Sequence, residues 1–264
     1  MIDTSKELVV DILTEQFIPD HVFVCVAKGA IRCFDGHKNY TFKAGDYCLA
    51  RKNRLARYTI EKGIDEFEPI IVCLEERFLK SFQEKHKIET VNFRSSDTFI
   101  KINKNKLIPN FIRSLKPYYN KITKIDQAFE DVKNEELLII LLQNQPELAG
   151  IFFNYSIPEK IDLEEFMNRN YKFNVSIQRF AYLTGRSLSA FKRDFKAIFN
   201  EPPNQWLVKK RLQEAYLLIN KKNKKPSEIY LDLGFQDLSH FSFAFKKLFS
   251  YTPTELIARK NTSH

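Results

Sequence analysis

The chain has 264 residues, enough for one large domain or two ordinary ones, and a hydrophobic content of 44% is enough to bury real cores. Seven glycines and ten prolines exclude low-complexity classes. The net charge of +9 is uneven: residues 1–159 sum to zero, and residues 160–264 carry all of it. A neutral module joined to a basic one is therefore expected, the basic one meeting a polyanion, nucleic acid before membrane.

No basic start followed by a short apolar stretch opens the chain, so no signal peptide is read. The longest apolar run, LLIILL at 137–142, falls far short of the roughly 20 residues that cross a bilayer, and the cytoplasm is the expected location. Residues 22–74 read as short strands. VFVCVAKGAIRCF holds two β-rich runs around Lys28-Gly29, a hairpin signal, and turn residues follow at Asp35-Gly36 and Gly45-Asp46. Strands at this spacing predict a small barrel or sandwich. Cys25, Cys33, Cys48 and Cys73 lie in these apolar stretches without a CxxC and read as buried reduced thiols. Helices are predicted over EERFLKSFQEKH, over 106–119 with Pro109 in its first turn, and over 134–148. The last is apolar on most faces and should be buried, between helices or between subunits.

The stretch NYSIPEK at 154–160 breaks the chain, and from Asp162 onward only helices are predicted. They run from Asp162 to Asn170, from a Ser176 cap to Thr184, and from a Ser187 cap to Phe199. A long helix opens at Pro202-Pro203 and runs from Asn204 to about Asn220. Helices then follow from Pro226 to Leu233, from an Asp237 cap to Phe249, and from Pro253 to about Arg259. Within this half a phrase occurs twice, fifty positions apart: FKRDFKAIFNEPP at 191–203 and FSFAFKKLFSYTP at 241–253. Phe191/Phe241, Phe195/Phe245, Lys196/Lys246, Phe199/Phe249 and Pro203/Pro253 match. FSFAF alone alternates like a strand, but the match makes it a helix with phenylalanines at i, i+4 and i+8.

Each copy follows a short helix and a glycine, Gly185 or Gly234, which makes two helix-turn-helix units, about 176–200 and 226–250. The second turn is one residue longer. In the first copy Phe191, Phe195, Ile198 and Phe199 form the inner stripe, and Ser189, Lys192, Arg193 and Lys196 share another face. Arg193 can donate two bonds to a guanine, worth roughly 1–3 kcal/mol of discrimination. In the second copy Ser239, His240, Ser242, Phe243 and Lys246 face out, and Phe243 stands where Arg193 stands in the first. A phenylalanine cannot hydrogen-bond a base but can pack on a thymine methyl. Arg186, beside the first turn, reads as a phosphate contact, and the run KKNKK at 221–225 as a basic loop. The matched residues are thus core, and the differing ones are readout.

GFQDLSHFSFAFKKLFSYTPTEL resembles the signature region of the AraC/XylS family of bacterial transcription regulators, and the resemblance extends over about 160–260. An alanine four residues before the turn glycine is usual in that family; Ala181 meets this and Tyr230 does not. The resemblance implies base contacts at Ser189, Lys192 and Arg193, and at Leu238, Ser239, His240 and Phe243, in a double-stranded DNA site. KGAIRCFDGHKNYTFKAGDYCLA is similar to the cupin-like barrel that many members use as a sensor. The implied fold is α+β in two domains: a cupin-like β-barrel and sensor/dimerisation domain over 1–152 (strands about 20–75, helices about 76–150), a linker over 153–160, and an all-α DNA-binding domain over 161–264. Activation with RNA polymerase as partner, and a homodimer through helices at about 106–148, are further implications. No cofactor is expected, since His21, His37 and His86 form no HxH and no catalytic motif is found. The effector of the first domain is left open between a small molecule and a protein partner. A cupin-type enzyme with a basic appendage, or a nonspecific DNA-binding protein, are the alternatives.

Overall fold

The computed structural model describes residues 16–60, 67–89, 93, 95, 97–115, 117 and 127–261. The chain divides into two compact units, with the boundary between Ile157 and Pro158.

In the first unit, among the described residues, the strands are β1 (Phe17–Ile18), β2 (His21–Lys28), β3 (Ala30–Phe34), β4 (Asn39–Lys43), β5 (Tyr47–Ala50), β6 (Arg54–Leu55), β7 (Arg57–Ile60), β8 (Glu68–Leu74) and β9 (Phe99–Lys101). They pair as a four-stranded sheet in the order β8-β2-β5-β9, a three-stranded sheet in the order β4-β3-β7, and a small β1-β6 ladder. No ladder among the described residues joins the two larger sheets, so these strands leave the expected closure into a barrel unsupported. The predicted hairpin at Lys28-Gly29 is also corrected. β2 pairs with β5 and β8, whereas β3 pairs with β4 and β7. Gly29, at φ +79°, is a corner that passes the chain from one sheet to the other. The Asp35-Gly36 turn does close a hairpin, β3 to β4. Asp35 Oδ1 accepts from the His37 and Lys38 amides and Oδ2 from the Tyr40 hydroxyl, at 2.9–3.0 Å.

β2 shows why this half reads as nearly continuous apolar sequence. Val22, Val24 and Val26 point toward Ile31, Cys33, Phe42 and Tyr58 of the other sheet. Phe23 and Cys25 point the opposite way, to the helices. Those helices are α1 (Glu76–His86), α2 (Leu107–Leu115), α3 (Gln127–Asn144) and the short α4 (Ala149–Phe152). Leu137, Leu138, Ile140 and Leu141 of α3 bury against Phe23, Leu49, Leu79 and Phe111. α3 begins before the predicted Asn134. It ends at Asn144 because Pro146 follows, and Pro146–Leu148 forms a separate 3-10 turn. Of the helix predicted over 106–119, residues 116, 118 and 119 lie outside the described residues. Cys25, Cys33 and Cys48 are buried free thiols; burial pushes Cys25 up to about 11 and Cys33 to about 12, which leaves them inert.

The second unit is helical: α5 (Leu163–Asn170), α6 (Ile177–Leu183), α7 (Leu188–Phe199), α8 (Pro203–Lys222), α9 (Pro226–Ile229), α10 (Leu238–Phe249) and α11 (Pro253–Asn261). The caps read from sequence, Ser176, Ser187 and Asp237, are in place, and Asp162, read as the first residue of its helix, is a cap as well; each accepts a bond from the amide three residues on. α7 and α10 both end on a left-handed residue, Asn200 and Ser250, fifty positions apart, before the prolines that open the next helices. α8 is longer than expected, and the helix expected to reach Leu233 is regular only to Ile229, after which turns lead into Gly234. No helix among the described residues is long and apolar enough to cross a membrane.

Candidate nucleic-acid interface

The two helix-turn-helix units share one backbone device. In the first, the amide of Gly185 donates to the Tyr182 carbonyl and that of Arg186 to the Ala181 carbonyl. In the second, Gly234 donates to Leu231 and Phe235 to Tyr230, again at 3.0 Å. This is the left-handed closure of a helix C-terminus, and both glycines have positive φ, +65° and +81°. A Cβ on Gly185 would lie 2.4 Å from the Glu159 carbonyl carbon, and one on Gly234 2.6 Å from the Lys172 oxygen. Glycine is thus required twice over at each turn. The extra residue of the second turn, Gln236, comes after this closure, so the two turns differ only in how they deliver the next cap.

α7 and α10 bury one stripe each. Phe191 and Phe195 are fully buried, and Phe199 meets Trp206 of α8 with the rings tilted, at 4.6 Å. Phe241 and Phe245 are fully buried, and Phe249 lies 5.2 Å from Tyr216 of α8. Ile198, read as part of the inner stripe, is instead 42% exposed. Ser189, Lys192, Arg193 and Lys196 are exposed together on α7, with the Arg193 side chain 79% accessible. On α10, Leu238, Ser239, His240, Phe243 and Lys246 are exposed. Ser242 is half-buried, and with Leu238 it lines a cavity of about 550 Å³ between α8, α10 and α11. The His240 ring meets the edge of Phe235 at 5.8 Å.

Arg186 is a correction. Its side chain is only 8% accessible and is turned inward, not toward a phosphate. Nη1 donates to the carbonyls of Ile161 (2.9 Å) and Thr184 (2.7 Å), and Nε donates to Asp194 Oδ2 at 3.2 Å. Arg186 therefore fastens the stretch entering α5 to the first turn and to α7. Asp194 also accepts from Arg193, through Nε at 3.3 Å and Nη2 at 3.2 Å. Bonds from Arg186 and Arg193 hold the Asp194 carboxyl below its ordinary value. Arg193 is thus pre-oriented by an exposed, weak ion pair that a stronger acceptor can displace.

Sequence reasoning missed Arg211. It lies in the buried stripe of α8 with Leu207, Leu212, Ala215 and Ile219 and is 7% exposed. Nε donates to the Tyr171 carbonyl (2.7 Å), Nη2 to Phe173 (2.8 Å) and Nη1 to Gly234 (3.0 Å). One side chain thereby ties the loop before α6 to the turn of the second unit. Burial lowers its pKa to about 10, so it stays charged at neutral pH. An arginine inside an otherwise apolar helical stripe was the available signal.

Two family profiles match the chain. One is described as an ExsA N-terminal regulatory domain and covers residues 21–151; the other is described as a helix-turn-helix domain and covers residues 180–259. The virulence regulon transcriptional activator VirF of Yersinia enterocolitica is 27% identical over 124 residues, 46% of this chain and 45% of that protein. The HTH-type transcriptional regulator ExsA of Pseudomonas aeruginosa is 25% identical over 125 residues, 47% of this chain and 45% of that protein. The chain thus spans about 45% of the length of the curated relatives it matches. Among solved structures, apo ToxT of Vibrio cholerae aligns over 93% of this chain and 91% of its own, at 16% identity and a TM-score of 0.44. The paired turns and their exposed second helices define a tandem helix-turn-helix protein. The chain belongs to the AraC/XylS family of transcription regulators.

Proposed function

We propose that the protein is a sequence-specific DNA-binding transcription activator whose α7 and α10 read two adjacent major-groove segments. The observation that carries this reading is the contrast between the helices. Their buried phenylalanines match residue for residue, while on the outer faces Ala190, Lys192 and Arg193 of one stand where His240, Ser242 and Phe243 stand on the other; Ser189/Ser239 and Lys196/Lys246 are the same. A scaffold repeated with different outer faces fits two different base sequences read by one rigid body. α8, at 20 residues, reaches about 30 Å, close to the roughly 34 Å between successive major grooves, so only a modest DNA bend is required.

The first unit supplies control, and a protein partner fits it better than a ligand held between its sheets. The cavity there is about 30 Å³, lined by Val22, Ile31, Phe42, Cys48 and Phe99 among others, whereas ligand sites run to several hundred Å³. Phe42 points into it, while Phe23 and Tyr47 face the helices and Phe34 lies under Arg57 at 5.2 Å. A homodimer through 106–148 draws on exposed Phe129 and Val132 of α3, and RNA polymerase is the partner that activation requires.

Selection of duplexes from a random pool by the purified chain tests the reading. A motif of two blocks about one helical turn apart is expected, and Arg193→Ala should lose a guanine preference in one block while costing roughly 1–3 kcal/mol on the preferred site. Binding that tracks salt alone, with no motif, sinks it.

A further inference from the structure

We infer that α10 reads its DNA segment through thymine methyl groups, with Phe243 as the specificity-determining contact, so that the two blocks of the operator are read by different chemistry. The inference rests on the DNA-reading assignment above. Phe243 is 70% exposed, the most exposed large apolar side chain of the second unit. No ring partner for it occurs among the described residues, although the phenylalanines of the inner stripe make tilted ring contacts in series, Phe241 to Phe245 at 5.9 Å and Phe245 to Phe249 at 4.6 Å.

Its place on the helix says what it serves. Phe243 occupies the position that Arg193 occupies on α7, fifty residues earlier and at the same offset from the helix cap. Ser239, Phe243 and Lys246 lie at i, i+4 and i+7 and share a face, with Leu238 exposed beside them. Lys246 matches Lys196 and supplies the charge that holds this face against phosphate. A leucine and a serine, Leu188/Leu238 and Ser189/Ser239, are common to both faces; the faces differ where α7 offers Lys192 and Arg193 and α10 offers Ser242 and Phe243, with His240 in place of Ala190. Of the groups displayed in the major groove, the thymine C5-methyl is the one an apolar side chain distinguishes. Guanine, with two acceptors and no apolar group, leaves its acceptors dry against a phenyl ring. α10 thus favours thymines where α7 favours guanine.

The experiment uses the full chain and a duplex chosen by selection, with thymines of one block replaced by deoxyuridine, which removes the methyl and leaves the hydrogen-bonding pattern intact. Replacement in the α10 block is expected to weaken binding about fourfold per contacted methyl, while replacement in the α7 block changes affinity by less than twofold. Phe243→Ala should bind thymine and deoxyuridine duplexes alike. 5-Methylcytosine in place of cytosine at the contacted step should regain part of the loss. Phe243→Arg should turn the preference at that step toward guanine. Thermal unfolding of both variants is expected to match the parent, since the side chain is exposed. A selected duplex that binds equally well with deoxyuridine in the α10 block overturns the inference and leaves the regulator reading standing. Failure to select any duplex overturns both.

Discussion

His21 shows how one residue couples the first unit to pH. It is 2% exposed, its Nδ1 accepts from the Lys52 amide at 3.4 Å, and its ring meets Phe152 edge-on at 5.7 Å. Burial first, then Lys52 and Arg51, lowers its pKa to about 3. The unfolded chain takes a proton on this imidazole below about 6.5, and the folded chain does not until about 3. The stability tied to His21 is therefore complete above pH 6.5 and falls as pH drops through that window, by at most about 1.4 kcal/mol per pH unit. Urea unfolding of the first unit at pH 7 and pH 5, followed by its β-sheet circular dichroism, should show this loss, and His21→Gln should reduce it. An equal slope in the variant would assign the acid sensitivity to other groups. This role was not legible from residue order: a histidine opening a strand reads as surface until its neighbours are known. Arg186 failed for the same reason, because a turn arginine beside a reading helix reads as outward while three acceptors lie inward.

At the scale of elements, what was legible followed from period and caps. Ser176, Ser187 and Asp237 marked helix starts because a short acceptor just before an apolar stripe has one common use, and each is a cap in the structure. The fifty-residue echo overrode the strand-like alternation of FSFAF because two copies constrain the period more than one does. Sheet partners were not legible. The Lys28-Gly29 signal fits a hairpin or a corner equally well, and which it is depends on pairings twenty to fifty residues away. Nor was the tie between elements made by Arg211. Three carbonyls converge on its guanidinium from the loop before α6 and from the second turn. Arg211→Leu leaves those acceptors buried without donors and should cost roughly 3 kcal/mol. Arg211→Lys, with a compact ammonium in place of a planar fork, should recover part of that loss. Fluorescence of Trp206, the single tryptophan, reports the second unit alone and gives the unfolding midpoints. Midpoints for Arg211→Leu within error of the parent would show that the carbonyls find other donors.

At the scale of the molecule, the charge from Lys160 onward separates contacts that hold from contacts that read. Each phosphate neutralised by a lysine or arginine lowers the slope of log affinity against log salt by about 0.9, whatever the sequence. Lys196 and Lys246 are a basic pair that the repeat preserves on both exposed faces, as it preserves Ser189 and Ser239; a charge kept constant on both helices is expected to serve phosphate. Lys196→Ala and Lys246→Ala should each flatten the salt slope by about one unit and weaken preferred and unrelated duplexes by the same factor. Arg193→Ala and Phe243→Ala stand on positions the repeat does not preserve. Phe243→Ala should leave the slope unchanged, because no charge is removed, while narrowing the gap between preferred and unrelated duplexes. Titration of the four variants against one preferred and one unrelated duplex at several salt concentrations decides the matter. Should Lys246→Ala relax base preference as much as Phe243→Ala does, the division between preserved and variable positions fails. The second reading face would then have to be redrawn around Lys246.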